Sequence, residues 1–105
     1  MRIRMATVAK VIAEEFNVTV EQIKSPSRVR RIIIPRFSFY WLSYKYGHSL
    51  PKIAAWTGGR DHTTVLHGKN IIDAYIGFDK LNELDSKVQM FNNQMYRQIE
   101  GEDDE

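Results

Sequence analysis

The chain has 105 residues, the length of one domain or one domain with an appendage, and no cysteine, which excludes disulfides and thiolate metal sites. Hydrophobic residues at 43% and charged residues at 27% exclude an unfolded chain, and no apolar run reaches the ~18 residues of a membrane span. The net charge of +2 hides an asymmetry: residues 1–75 hold 12 Lys+Arg against 5 Asp+Glu (+7), and residues 76–105 hold 3 against 8 (−5). A basic body suits a polyanionic partner that the acidic end cannot share, although a solvated surface without a partner fits the charge equally well.

Met5, Val8, Ala9, Ile12 and Phe16 recur at helical spacing and predict an amphipathic helix over about 4–16. Lys10, Glu14 and Glu15 fall where a signal peptide needs unbroken apolar residues, which points to a cytoplasmic, nucleoid-associated protein. In residues 17–34, β-branched residues surround a short helix at Val20–Lys24, followed by a Ser-Pro-Ser break. Pro35 is placed near the start of the next helix, Arg36–Tyr46, with Phe37, Trp41 and Tyr44 inward and Phe39 and Tyr40 broadening that face. So apolar a helix belongs at the centre of the core, and Gly47 ends it. Ser49 caps a short helix, Leu50–Thr57, with Pro51 in its first turn. Gly58-Gly59 breaks that helix, and Asp61 caps another over about 61–76. There Val65, Gly68, Ile72 and Tyr75 face inward, and Gly68 admits a close neighbouring helix. In a last helix over about 79–98, Leu81, Leu84, Val88, Phe91 and Met95 form a heptad seam, fit for docking on its own domain or for pairing with a second copy. The Gly-Glu-Asp-Asp-Glu end is expected to fray. No window reads as strand, so the class is all-α.

The stretch GGRDHTTVLHGKN, Gly58–Asn70, sits where a helix, a glycine turn and a second helix outline a helix-turn-helix. Arg60, Thr63, Thr64 and His67 fall at i, i+3, i+4 and i+7, opposite the Val65 and Ile72 stripe. Such a face of donors, acceptors and methyl groups suits base edges in a major groove. Asp61 can accept from cytosine N4 or hold its neighbours, and the free N–H groups of a helix start favour phosphate. His62 and His67 are five positions apart and diverge, against a zinc pair. Asp61, His62 and Thr63 are adjacent and diverge as well, so they do not assemble a catalytic group, and no nucleophile motif supports one. Gly68-Lys69 lacks the earlier glycine of a phosphate loop. No enzyme activity, metal, cofactor or nucleotide is therefore expected. On spacing alone, a capped surface helix with no partner remains an alternative.

GGRDHTTVLH resembles the signature of the C-terminal DNA-binding domain of the bacterial chromosomal replication initiator family, DnaA. The resemblance extends to His48-Ser49-Leu50-Pro51-Lys52-Ile53 before it, and to Ser27-Arg28-x-Arg30 and Pro35-Arg36 further upstream, covering about residues 5–75. It implies a Trp-repressor-like helix-turn-helix bundle that binds duplex DNA at a DnaA box of the TTATNCACA type. By the resemblance, Arg60, Asp61, His62, Thr63 and Thr64 contact bases in the major groove. Arg28 enters an A·T-rich minor groove, where negative potential concentrates. Phosphates fall to Arg30, Arg36, Lys45, Ser49, Leu50 through its N–H, His67 and Lys69, contacts that position the module rather than read sequence.

The chain departs from the family in places. FSFYWLSYKYG is one residue shorter before His48, which shifts Lys45, and the basic loop holds fewer cations, which weakens non-specific attraction. Residues 1–105 are not expected to supply the ATPase domain with which an initiator assembles ATP-bound subunits. The expected organisation is a DNA-binding domain over 1–76, an additional heptad-patterned helix over 77–100 with no counterpart in the family, and an acidic tail over 101–105. Met1 and the layout suggest a stand-alone protein, cellular or phage-borne, acting in replication initiation or its regulation. The alternative is an interaction or transcription-regulatory protein that uses DNA as an address and residues 81–95 for a homodimer or a protein partner.

Overall fold

The computed structural model describes residues 2–103, and their side chains as far as residue 98. The helices are α1 (Met5–Phe16), α2 (Val20–Lys24), α3 (Arg30–Lys45), α4 (Leu50–Trp56) and α5 (His62–Asp103), with no strand among the described residues. The all-α class and the amphipathic first helix stand as the sequence predicts. Val8, Ala9 and Ile12 of α1 are fully buried, and Asn17 closes the helix in the left-handed region at φ 55, ψ 47.

At α2, only five residues long, stability comes from its ends rather than its length. Thr19 Oγ1 accepts from the Gln22 amide at 3.0 Å, and Gln22 Oε1 accepts from the Thr19 amide at 2.9 Å. This reciprocal pair is the T-x-x-Q form of a capping box.

The largest departure from the sequence reading is α3. It begins at Arg30, so Pro35 lies inside the helix rather than near its start. Proline there withholds the donor that the Arg31 carbonyl would receive. Against that loss, the added turn carries Ile32 into the core, where it is 3% exposed. The inward residues are also rotated from expectation: Phe39, Tyr40 and Leu42 are fully buried, Phe37 and Trp41 half-buried, and Tyr44 is 47% exposed. The reason is that α3 touches α1, α2, α4 and α5, so its buried surface is not a single stripe. Its central place in the core is as expected.

The first half of α5 crosses α3 at Gly68. A Cβ on Gly68 would lie 2.7 Å from Phe37 Cδ1 and 2.9 Å from Tyr40 Cδ2, so only glycine permits this approach. Val65 and Ile72 are fully buried on the same side. Tyr75, expected inward, is instead 52% exposed, with the Arg30 guanidinium 5.5 Å above its ring. A tyrosine can keep its hydroxyl wet while an arginine stem covers its face.

At Gly77 (φ 82, ψ 156) the helix breaks, and the second half of α5 packs on α1 and the end of α3. Leu81, Leu84 and Val88 are fully buried in the common core, with Phe91 packed against it. The heptad seam is therefore largely used within this chain, and residues 77–98 are part of the same folded unit rather than an appendage. Of the two uses the seam allows, docking on its own domain accounts for Leu81, Leu84 and Val88, which leaves less of residues 81–95 for a second copy. Charges fix the register of that docking: Lys80 and Lys87 donate to Glu15 at 2.7 and 2.6 Å, and Lys45 donates to Asp85 at 2.6 Å. Tyr46 donates its hydroxyl to the same Asp85 carboxylate. The backbone of the acidic end stays helical to Asp103, where fraying was expected, and the rest of the 101–105 tail lies outside the described residues.

Gly68→Ala should lower unfolding stability by about 1–3 kcal/mol, because two aromatic rings must move to admit one methyl group. Urea titration measures this. The docked half-helix should also be acid-sensitive. Hydrogen bonds from Lys80 and then Lys87 hold the Glu15 carboxyl below its ordinary range. Burial pushes the Asp85 carboxyl up, but hydrogen bonds from Lys45, Tyr46 and Gln89 together hold it below that range. Both folded values are depressed. Their stabilisation is thus complete above the ordinary carboxylate value of about 4 and is lost as pH falls through the lowered folded values. Urea midpoints of the wild type should fall across that acid window, and the Glu15→Gln, Asp85→Asn double variant should show a shallower fall.

Candidate nucleic-acid interface

The residues from Ser49 to His67 form a helix, a tight turn and a second helix. Ser49 caps α4, its Oγ accepting from the Lys52 amide at 3.3 Å. Pro51 has no amide to satisfy, and the Leu50 N–H has no intramolecular acceptor among the described residues. The end of α4 turns sharply through Gly58 (φ 97) and Gly59 (φ 76), and the amides of Gly59 and Arg60 both donate to the Ala54 carbonyl at 3.1 Å.

Asp61 starts α5. Its Oδ1 accepts from the Thr63 amide at 3.1 Å, and that bond is the main reason its carboxyl sits below the ordinary range. The His62 ring Nδ1 lies 3.5 Å from the same carboxylate oxygen. His62, Thr63, Thr64 and His67 are exposed, whereas Val65, between them in sequence, is fully buried. The first turns of α5 therefore present one polar side outward and one apolar side to the core. A hollow beside this start is lined by Tyr44, Gly47, Ser49, Leu50 and His62, which brings the beginnings of α4 and α5 together.

Arg60 does not share that face. It lies in the turn before α5, half-buried, where Nη1 donates to the Thr57 carbonyl at 2.7 Å and Nη2 donates to the Ser25 carbonyl. The carbonyl groups at the end of α4 and in the loop after α2 need donors, and Arg60 supplies them.

Arg36 departs further from expectation. It is 4% exposed and donates to the carbonyls of Ile23 (2.8 Å), Ser27 (2.7 Å), Ser25 (2.6 Å) and Gln22 (3.3 Å). A guanidinium so placed cannot also reach a phosphate, so this expectation is corrected to an internal role. Lys45 is likewise engaged, by Asp85 at 2.6 Å and by the Trp41 ring at 5.4 Å. The docking of the second half of α5 on the end of α3 brings these groups together, and the sequence spacing of 40 residues between Lys45 and Asp85 hides it.

The remaining predicted cations stay at the surface. Arg28 is exposed in the loop 25–29 and has no hydrogen bond or ion pair among the described residues. Arg30 opens α3 over Tyr75, and Lys69 lies 4.4 Å over the Tyr44 ring and 2.9 Å from Asn70 Oδ1. Lys52, exposed in the first turn of α4, adds a cation that the sequence reading passed over, although its place beside Ser49 marks it. His48, inside the same motif, serves structure: its Nε2 donates to the Ile3 carbonyl at 2.6 Å.

The family described as "Bacterial dnaA protein helix-turn-helix" matches residues 5–72. The chain belongs to this family. It is a DNA-binding helix-turn-helix domain of the DnaA kind, and no helix among its described residues is long and apolar enough to cross a membrane. Over 96 residues it is 38% identical to the "Chromosomal replication initiator protein DnaA" of Brucella abortus biovar 1 (strain 9-941), a stretch covering 89% of this chain and 19% of that protein. Similar proteins of the same name occur in Lactobacillus helveticus (strain DPC 4571), 37% identical over 73% of this chain and 17% of the relative, and in Limosilactobacillus reuteri (strain DSM 20016), 40% identical over 73% and 18%. The chain thus spans about a fifth of the length of the curated relatives it matches. A match covering 89% of the 105 residues extends past residue 75, so part of the second half of α5 is aligned with DnaA as well, where the sequence reading placed no counterpart.

The two glycines of the turn should differ in tolerance. A Cβ on Gly58 would meet the Lys24 carbonyl oxygen at 2.9 Å at φ 97, whereas on Gly59 it would meet nothing within 4 Å at φ 76. Gly59→Ala should cost only backbone strain, about 1–3 kcal/mol, and Gly58→Ala more than that, as read from thermal unfolding.

Proposed function

We propose that this chain binds duplex DNA sequence-specifically at DnaA-box-like sites, in replication initiation or its regulation. The start of α5 enters the major groove, where Asp61, His62, Thr63 and Thr64 meet base edges. Arg28 reaches from its loop into the adjacent A·T-rich minor groove. Arg30, Ser49, the Leu50 amide, His67 and Lys69 take phosphates, together with Lys52. Arg60, lying between loop and helix, supports both rather than joining the helix face.

One observation carries this reading: the exposed polar side of α5 at Thr63, Thr64 and His67 lies opposite a fully buried Val65 and Ile72. A helix anchored by one side and polar on the other presents its residues rigidly, as base recognition requires. Donors and acceptors at its N-terminal turns match groove edges, and the uncapped Leu50 amide suits a phosphate oxygen. A dimer or partner held through residues 81–95 finds less support, since Leu81, Leu84 and Val88 are already buried.

Fluorescence anisotropy at fixed salt, with a box duplex and a scrambled duplex, tests the proposal. Wild type should prefer the box, and each altered base pair facing α5 should cost about 1–3 kcal/mol. His62→Ala and Thr64→Ala should lose part of that discrimination while binding scrambled DNA as before. Lys69→Ala should weaken both duplexes alike and reduce the salt slope by about one unit. Equal affinity of the wild type for box and scrambled DNA overturns the reading.

A further inference from the structure

We propose that Arg36 and Arg60 together clamp the Ser25 carbonyl, and so hold the loop carrying Arg28 at a set position relative to the start of α5. On this account the loop and the helix are one rigid reader of DNA rather than two separate contacts. The proposal rests on the function above for what loop and helix touch, and on the following geometry for how they are joined.

The loop between α2 and α3 has little order of its own. Its internal bonds run from the Ser27 amide to Ser25 Oγ and from the Val29 amide to Ser27 Oγ, both at 3.3 Å and both single serine turns. The stronger bonds come from outside. Arg36, on α3, reaches Ser25 at 2.6 Å and Ser27 at 2.7 Å, and also Ile23 at the end of α2 at 2.8 Å. Arg60, in the turn before α5, reaches Ser25 from the other side and Thr57 at 2.7 Å. Ser25 thus receives guanidinium donors from two elements, one central to the core and one belonging to the helix-turn-helix.

Two like charges converging on one carbonyl are not the economical way to stabilise a fold. No carboxylate pairs with either group among the described residues, so peptide dipoles alone compensate them. An apolar contact of similar size would give stability without the desolvation cost. What the guanidinium gives instead is direction, because its planar fork sets several bonds in fixed mutual orientation. Two more contacts bind the same regions. The Lys24 ammonium lies 3.9 Å over the Trp56 ring, and the Lys24 carbonyl comes so near Gly58 that a Cβ there would stand 2.9 Å away. Lys24 and Ser25, at the helix end and the start of the loop, therefore abut the α4–α5 turn by both charge and shape. A loop already held in place loses less freedom on binding DNA than one that must be ordered by it.

Arg60→Gln is the first variant, since the half-buried Arg60 is less essential to folding, and Arg36→Lys is the second. In the free protein, amide hydrogen exchange should quicken at Ser25, Ser27 and Val29 in both, while Ile72 and Leu84 keep their protection. Binding is then compared on a box duplex and on one whose A·T minor-groove segment is replaced by G·C. Arg28→Ala should lose the preference between these duplexes, Arg60→Gln should lose it similarly, and the double variant should lose no more than either single one. Unchanged loop exchange in both variants overturns the clamp. Quickened exchange with the A·T preference retained overturns its positioning role. Loss of discrimination only at base pairs facing α5 in Arg60→Gln also overturns it, by making Arg60 a base reader. If Arg28→Ala itself keeps the A·T preference, the minor-groove assignment fails, and the exchange data still judge the clamp separately.

Discussion

A buried guanidinium must find acceptors, and Arg36 finds them in the carbonyls of a single short loop and the helix end before it. That requirement organises much of the rest. Burial, and next the nearby Arg60 charge, work against the charged form of Arg36, so the dipoles around it must be closely placed to keep it. Their placement dictates where the loop after α2 runs, and the loop in turn lies against the glycine turn that launches α5. The polar start of α5 is thereby referred back, through Ser25, to the centre of the core.

The approach at Gly68 is the second constraint. Phe37 and Tyr40 stack at 5.7 Å between ring centroids, and α5 lies on them where a side chain is missing. This contact orients α5 about its own axis. With Val65 and Ile72 buried, Thr63, Thr64 and His67 have nowhere to point but outward. The rigidity of the presented face is a consequence of packing on the hidden one.

Charge is arranged with the same economy of space. The acidic second half of α5 is docked through residues 80–88: its Asp85 takes Lys45 and Tyr46, and its Lys80 and Lys87 take Glu15 of α1. Lys45 is thus neutralised locally, while Arg28, Arg30, Lys52 and Lys69 stay exposed or stacked on aromatic faces around the helix-turn-helix. A potential built from these remaining cations can steer a polyanion without interference from the docked carboxylates.

The helices α1, α2 and α4, the cap at Asp61 and the glycine break before α5 were all legible in the sequence, because each depends on neighbours within a turn or two; Gly68 was legible as a gap in an apolar stripe, but its partners Phe37 and Tyr40 lie on α3. The capping box was equally readable as Thr19-Val-Glu-Gln22 and was passed over. Local rules misplaced the start of α3, since proline at position 35 argues for a boundary that burial of Ile32 overrides. They also mistook which arginines face water: Arg28 and Arg36 look alike in a basic stretch, yet one is exposed and the other enclosed. By itself, then, the sequence determined the helix-turn-helix and the residue types on its polar side. Only the tertiary structure decided which cations are free, where the heptad seam docks and what ties the loop to α5. Those outcomes join residues far apart in the chain, and desolvation acts on them only once the helices have packed.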